Sequence, residues 1–324
     1  MSIKMTGFSK DLQRFRELWS GFQPSRVVLT ANNLGIFDHL TTGRTAAELA
    51  RRLKTDPRAT EILLDALASL ELLRKTGRSY RNTPLSRRFL VRTSPAYQGD
   101  MLHHADQLWK SWSNLDEVVR TGKPMRAGSR DFDVFLRAMH NNSVLRAKDI
   151  VDAVGLKGVK TALDLGGGPG TYSIELARRG VAVTHFDMPE AKQIAKKLFS
   201  AGDLKNVRFI GGDYYTDAIG SGYDLVLISQ IIHSMSIADT LSLLRKARKS
   251  LNPGGRIAIH EFLLAENRAA PPPGALFSIN MLVNTEAGRS YTVKEMKGFL
   301  SDAGLGSIKT KRLGPTVLVM GVKK

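Results

Sequence analysis

The sequence predicts an α/β protein in which a doubly wound, seven-stranded, Rossmann-like sheet follows a mostly helical, winged-helix-like N-terminal part. Three observations carry this. Short apolar segments at 161–166, 181–187, 207–212, 223–229 and 255–261 alternate with helical stretches such as Tyr172–Arg179, Ala191–Ser200 and Ala238–Ser250, the rhythm of parallel strands joined by crossover helices. Thr316–Val322 follows Gly314-Pro315 so closely that the link permits an antiparallel hairpin with 307–312, which brings the strands to seven. In the first half, two helices run into a short basic hairpin. The chain is therefore divided into 1–100 (winged-helix-like), 101–153 (helical) and 154–324 (α/β), the main boundary lying near 150–155.

Taken in order, Thr45-Ala-Ala-Glu48 is a capping box that opens a short helix from Ala46 to Leu53. Asp56-Pro57 opens the next, with Asp56 as N-cap and Pro57 in the first turn. Ile62, Leu63, Ala66, Leu67 and Leu70 follow helical spacing and are expected to form its buried face. Leu73–Arg81 reads as two strands turning at Gly77. Residues 97–150 are again helical, interrupted at Gly122-Lys-Pro and Gly128-Ser.

Composition narrows the function classes. The 324 residues are 42% hydrophobic and 24% charged, ordinary for a globular protein with room for two cores. There is no run of eighteen apolar residues and no signal-peptide pattern at Met1-Ser-Ile-Lys-Met-Thr, so neither a membrane span nor a leader is expected and the cytoplasm is the default location. The absence of cysteine excludes disulfides, cysteine-ligated metals and a thiol nucleophile. The net charge of +18 is shared as +10 over residues 1–150 and +8 over 151–324. Spread in this way it points to no single nucleic-acid stripe.

Chemistry concentrates at Thr161-Ala-Leu-Asp-Leu-Gly-Gly-Gly-Pro-Gly-Thr-Tyr172, where a strand ends in glycines and runs into a helix. Glycines there let a ligand lie against bare backbone, as dinucleotide folds also do. Two details favour S-adenosyl-L-methionine over a dinucleotide. Thr171 stands where the third dinucleotide glycine would be. Asp164, just before Gly166 and Gly168, opposes a pyrophosphate but suits a cationic methionine moiety. Asp187 ends the next strand, 21 residues after Gly166, and can accept from ribose hydroxyls or cap the helix that begins near Pro189. Asp213 and Tyr214, after the third strand, suit the adenine amino group and ring, or simply a turn.

These segments, with His185-Phe-Asp-Met188-Pro-Glu, Tyr223-Asp-Leu-Val-Leu-Ile-Ser229 and Leu251-Asn-Pro-Gly-Gly-Arg256, resemble class I methyltransferases. More narrowly they resemble the two-domain O-methyltransferases related to caffeate, acetylserotonin and bacterial polyketide or carotenoid methylation. The resemblance spans nearly the whole chain. It implies S-adenosyl-L-methionine as methyl donor, a small-molecule hydroxyl as acceptor and a homodimer formed through the N-terminal domain, with N-terminal helices helping to close the partner's site. It adds Met188, Ser229 and Gln230 to the donor-binding set.

The resemblance also assigns the general base to His233, in Ser229-Gln-Ile-Ile-His-Ser-Met-Ser236. A phenol ionising near pKa 10 is a poor nucleophile at neutral pH, and an imidazole near 6.5 can take its proton during attack. A hydrogen-bonded structural histidine is the alternative. Relatives usually carry an aspartate immediately after this histidine, where the chain has Ser234, and plant members carry a lysine at the position of Ser229. Glu261, with Glu286 second, is the candidate to orient the base. His104, Trp109, Phe277, Asn280 and Met281 match substrate-lining segments, although Phe277 and Met281 equally suit a core. No metal is expected, since His103 and His104 lack a third ligand at metal spacing.

Two other functions fit parts of the chain. A nucleic-acid methyltransferase lacks support, without cysteine for base C5 chemistry or an Asn/Asp-Pro-Pro-Tyr segment. A DNA-binding regulator that senses S-adenosyl-L-methionine would use Arg74, Lys75, Arg78 and Arg81 of the hairpin.

Overall fold

A computed structural model describes residues 5–125 and 131–324. It divides into two compact units, the first ending at Asp106 and the second running from Gln107 to Lys324. The expected break at Gly128-Ser lies outside the described residues.

In the first unit, helices Met5–Ser20 and Phe22–Asn33 precede a helix pair and a small sheet. The expected capping box forms: Thr45 accepts from the Glu48 amide, Glu48 answers the Thr45 amide, and the helix runs Ala46–Leu53. Asp56 caps Pro57–Ser69 through the Ala59 amide. Strands β1 (Arg44–Thr45), β2 (Leu73–Thr76) and β3 (Ser79–Asn82) form an antiparallel sheet in the order β1-β3-β2. The hairpin turns at Gly77, whose φ of +57° suits a residue without Cβ. The buried face of Pro57–Ser69 is Thr60, Leu64 and Leu67, while Ile62 is 55% and Leu70 37% exposed. The burial stripe is therefore i, i+4, i+7 from Thr60, and the run of apolar residues hid its phase. Leu64, Leu67, Phe37, Leu49 and Tyr80 form the core of this unit.

The second unit is built on β4 (Thr161–Leu165), β5 (Ala182–Asp187), β6 (Val207–Gly211), β7 (Tyr223–Ser229), β8 (Leu251–Phe262), β9 (Leu305–Leu313) and β10 (Thr316–Lys323). Their order is β6-β5-β4-β7-β8-β10-β9, parallel as far as β8, with β10 antiparallel to both its neighbours. The seven-stranded doubly wound sheet and its terminal hairpin are as expected from the sequence. Leu163, Leu165, Val226, Ile228, Ile257 and Ile259 bury one face of it. Ala162, Leu225, Leu227 and Ala258 bury the other, beneath Ala147–Val154 and Thr171–Arg178. Each of the Leu, Val and Ile side chains contributes roughly 1.5–3 kcal/mol of transfer free energy. That packing makes Ala147–Val154, which the sequence places ahead of the α/β segment, part of the sheet's unit. The chain crosses over in opposite directions from β4, so the carboxyl ends of β4 and β7 open a crevice at the switch point.

Candidate active site

A cavity of about 300 Å³ occupies this crevice, at the small end of the range for ligand sites. One wall is the turn Gly166–Pro169 after β4. Gly166 and Gly168 have φ of +70° and +54°, and a Cβ on Gly166 would lie 2.5 Å from the Ile231 side chain. Bare backbone here is thus a steric requirement.

Asp187, at the end of β5, closes the next wall. Its Oδ2 accepts from the Gly168 amide at 2.7 Å and its Oδ1 from the Met188 amide at 2.7 Å. The helix Pro189–Leu198 has Met188 as N-cap and no side-chain cap, so Asp187 serves the glycine turn rather than that helix. Asp164 is 1% exposed, and burial pushes its carboxyl up to about 6. Its Oδ2 accepts from Ser173 Oγ at 2.7 Å, and its Oδ1 has no partner among the described residues. Unpaired buried carboxylate oxygens are rare without a ligand to meet them.

A raised carboxylate pKa makes its stability contribution present below the unfolded value of 3.8 and lost as pH rises through about 6. Asp164→Asn is therefore expected to raise the melting temperature of the ligand-free protein by several degrees at pH 8 and to leave it unchanged at pH 4. Scanning calorimetry at the two pH values checks it.

Beyond β7 the backbone turns sharply. Gln230 takes a left-handed φ of +60°, and Ile232–Ser234 forms one 3₁₀ turn. Ile232 and Met235 are fully buried on either side of His233, and Tyr291 Oη donates to the Met235 carbonyl at 2.7 Å. A Cβ on Gly288 would fall 2.4 Å from the His233 carbonyl, so this loop crosses closely over the turn. Held in this way, His233 faces the cavity. Its Nδ1 is 2.7 Å from Glu261 Oε2, and its amide lies 3.4 Å from Glu261 Oε1. Glu261 is 2% exposed, on β8 next to the strand carrying Ser229. A carboxylate at Nδ1 assigns the ring proton to that nitrogen and leaves a lone pair on Nε2.

Of the residues selected from the sequence, Asp164, Gly166, Gly168, Asp187, Met188, Tyr214, Ser229, Gln230 and His233 line this one cavity. Burial raises the Tyr214 phenol. Ser229 Oγ pairs with His260 Nδ1 at 2.9 Å. Asp213 is not brought in: it is exposed, and its Oδ1 accepts from the Tyr215 amide at 2.8 Å in a local turn. Lys246 Nζ donates to the carbonyls of Tyr214, Tyr215 and Asp217 at 2.8–3.1 Å and holds that loop. Glu286 is exposed, and the described hydrogen bonds of His233 go to Glu261. Phe277 packs edge-on to the His233 ring at 4.8 Å. Asn280 Oδ1 accepts from Trp112 Nε1 at 3.1 Å, Met281 is buried at 7% exposure and Trp109 is half-buried. His104 is buried in the helix Gly99–Trp112, within the first unit.

The remaining wall is the helix Phe132–Val144, which presents Phe132, Phe135, Leu136 and Met139. His140 Nδ1 ties it to Thr171 Oγ1 at 3.0 Å. These four sit at i, i+3, i+4, i+7 on one face of the helix, where Leu136 is buried at 2% exposure and Phe132 remains 37% exposed.

A family model for the O-methyltransferase domain matches residues 122–306, and one for the O-methyltransferase dimerisation domain matches 16–92. The first covers more than half of the chain. The chain belongs to the O-methyltransferase family. Among similar proteins, the 3-hydroxy-5-methyl-1-naphthoate 3-O-methyltransferase of Streptomyces sahachiroi is 32% identical over 95% of this methyltransferase and 94% of its own length. The acetylserotonin O-methyltransferase of Gallus gallus is 32% identical over 91% and 92%. The crystal structure of human N-acetylserotonin methyltransferase in complex with SAM superposes with a TM-score of 0.89 at 28% identity, over 97% of both chains.

Proposed function

We propose that this O-methyltransferase binds S-adenosyl-L-methionine in the cavity at the β4–β7 switch point and methylates an aromatic hydroxyl of a small, polyketide-like molecule, with His233 as general base. The observation that carries this is the buried His233 Nδ1–Glu261 Oε2 contact at 2.7 Å on the wall of the glycine-turn cavity.

The wall fits the donor. Asp187, with one backbone bond on each oxygen, retains lone pairs for the ribose hydroxyls. Asp164, with Oδ1 unpartnered, suits the cationic methionine end, and Tyr214 and Met188 offer apolar surface for the adenine. When bound, S-adenosyl-L-methionine supplies a methyl group made electrophilic by its sulfonium. His233 Nε2 receives the hydroxyl proton as the oxygen attacks, and the Glu261 carboxylate stabilises the imidazolium that forms. Phe277, Phe132 and Phe135 give a flat acceptor apolar surface that excludes water. The curated relatives named above act on a hydroxynaphthoate and on acetylserotonin, which supports an aromatic hydroxyl. Incubation with methyl-labelled S-adenosyl-L-methionine and a panel of naphthols, hydroxyindoles and polycyclic phenols is expected to give O-methyl products. Labelling only of amine or carbon acceptors would overturn the reading.

The protein acts as a homodimer in this reading. Residues 1–100 serve dimerisation, 101–153 line or cover the acceptor, and 154–324 bind the donor. Support comes from an exposed apolar stripe near the N-terminus: Phe15, Leu18, Trp19 and Phe22 are 62%, 76%, 57% and 53% exposed, more than an isolated surface tolerates cheaply. Leu18→Glu with Trp19→Glu is expected to weaken dimerisation by about 100-fold or more, as loss of interface anchors does. Sedimentation equilibrium reads this, and an unchanged dimer would remove the stripe from the interface.

A further inference from the structure

Behind the glycine turn, a buried polar chain runs from Asp164 through two side chains that the methyl-transfer chemistry does not use. Asp164, Ser173 and His185 are each at most 1% exposed. Ser173, on the helix Thr171–Arg178, places Oγ 2.7 Å from Asp164 Oδ2 and 3.0 Å from His185 Nδ1. A hydroxyl has one proton, and a carboxylate oxygen can only accept it. Ser173 therefore donates to Asp164, and His185 carries its proton on Nδ1 and donates to Ser173. The order Nδ1–H to Oγ–H to Oδ2 polarises each bond in the direction of the carboxylate. A Cβ on Gly167 would fall 2.6 Å from His185 Nδ1 and 2.8 Å from Asp164 Oδ2, so the turn rests directly on this chain.

We infer that Ser173 and His185 are positioning residues for donor binding: together they hold Asp164 ionised, its free Oδ1 at the cavity where a cationic ligand group can meet it. This rests on the reading above that Asp164 receives the methionine end of the donor. Burial works against the ionised form, and so does the charge of Asp187 on β5. Ser173 opposes both, through its hydroxyl and its amide. Among the described residues, Tyr172, on the helix that carries Ser173, and His185, the register partner of Asp164 on β5, also bear on it. The partner of Asp164 on β7 is the apolar Leu227. Burial holds the imidazole of His185 down at about 4, so it remains a neutral donor across the working pH range and adds no charge of its own.

The test is calorimetric titration of the full-length protein with S-adenosyl-L-methionine between pH 5.5 and 8, for the native chain, Ser173→Ala, His185→Val and Ser173→Thr. Native affinity is expected to weaken below about pH 6 as Asp164 is protonated. In Ser173→Ala this limb moves up by about one pH unit, so Kd at pH 6 is about fivefold weaker than native and matches it at pH 8. His185→Val shifts it less in the same direction and carries the test if Ser173→Ala does not fold. Ser173→Thr, which keeps the hydroxyl, follows the native curve. An unmoved limb, or a loss of affinity equal at every pH, overturns the inference. A native affinity independent of pH, with Asp164→Asn binding as well as native, would instead sink the assignment of Asp164 to the donor.

Discussion

His233→Ala lowers kcat by about 10²–10⁴-fold and leaves affinity for S-adenosyl-L-methionine nearly native; that is the expected result if the histidine is the base. The reasoning is geometric. Its Nδ1 is committed to Glu261 at 2.7 Å, so Nε2 alone remains to take a proton at the cavity. Glu261 is 2% exposed, and removing its partner strands a buried carboxylate, which costs stability as well as activity. His233→Asn separates these effects, because its side-chain amide can still donate toward Glu261 while offering no base. It should unfold at a temperature closer to native and be as inactive as the alanine variant. Glu261→Gln keeps an acceptor for Nδ1 but no charge behind the imidazolium, and is expected to fall between native and His233→Asn in kcat. Turnover in His233→Asn within about threefold of native would leave the histidine a structural role only.

How much of this site the sequence disclosed follows from the range of the interactions. The glycine turn, Asp187 and the strand ends are fixed by local chemistry. The strand, the glycine turn and the helix follow one another through positive-φ backbone at Gly166, Gly168 and Gly170, and Asp187 closes the neighbouring parallel strand beside that turn. His233 is legible through its family pattern. Its orientation by Glu261 needed β7 and β8 to be adjacent, a relation that Ser229 and His260 register in the structure but that no spacing shows. Asp213 went the other way, since its side chain satisfies its own turn. Nothing in the sequence marks the Phe132–Val144 wall or the Ser173–His185 pair as site features. Each is a long-range pairing of ordinary residues, and a serine inside a helix or a histidine inside a strand carries no mark of what it faces.

Loss of donor binding in Asp187→Ala should be the largest binding effect of any single substitution in the cavity. Each oxygen of this carboxylate already accepts one backbone amide, from Gly168 and from Met188. Those bonds fix its plane and leave the remaining lone pairs for two ribose hydroxyls, a charge-assisted pair worth together about 3 kcal/mol, or about 100-fold in Kd. Alanine loses that pair and also frees the glycine turn, so the effect is expected to exceed that of any apolar wall residue. Asn cannot rescue it. One of its two terminal atoms is an NH₂, which would oppose either the Gly168 or the Met188 amide, donor against donor. Asp187→Asn should therefore bind as poorly as Asp187→Ala, whereas Asp187→Glu, with acceptors on both arms, should recover part of the affinity. Calorimetric titration of the three variants with S-adenosyl-L-methionine decides it. Native-like binding in Asp187→Asn would mean that the carboxylate serves the turn alone and that the ribose is held elsewhere.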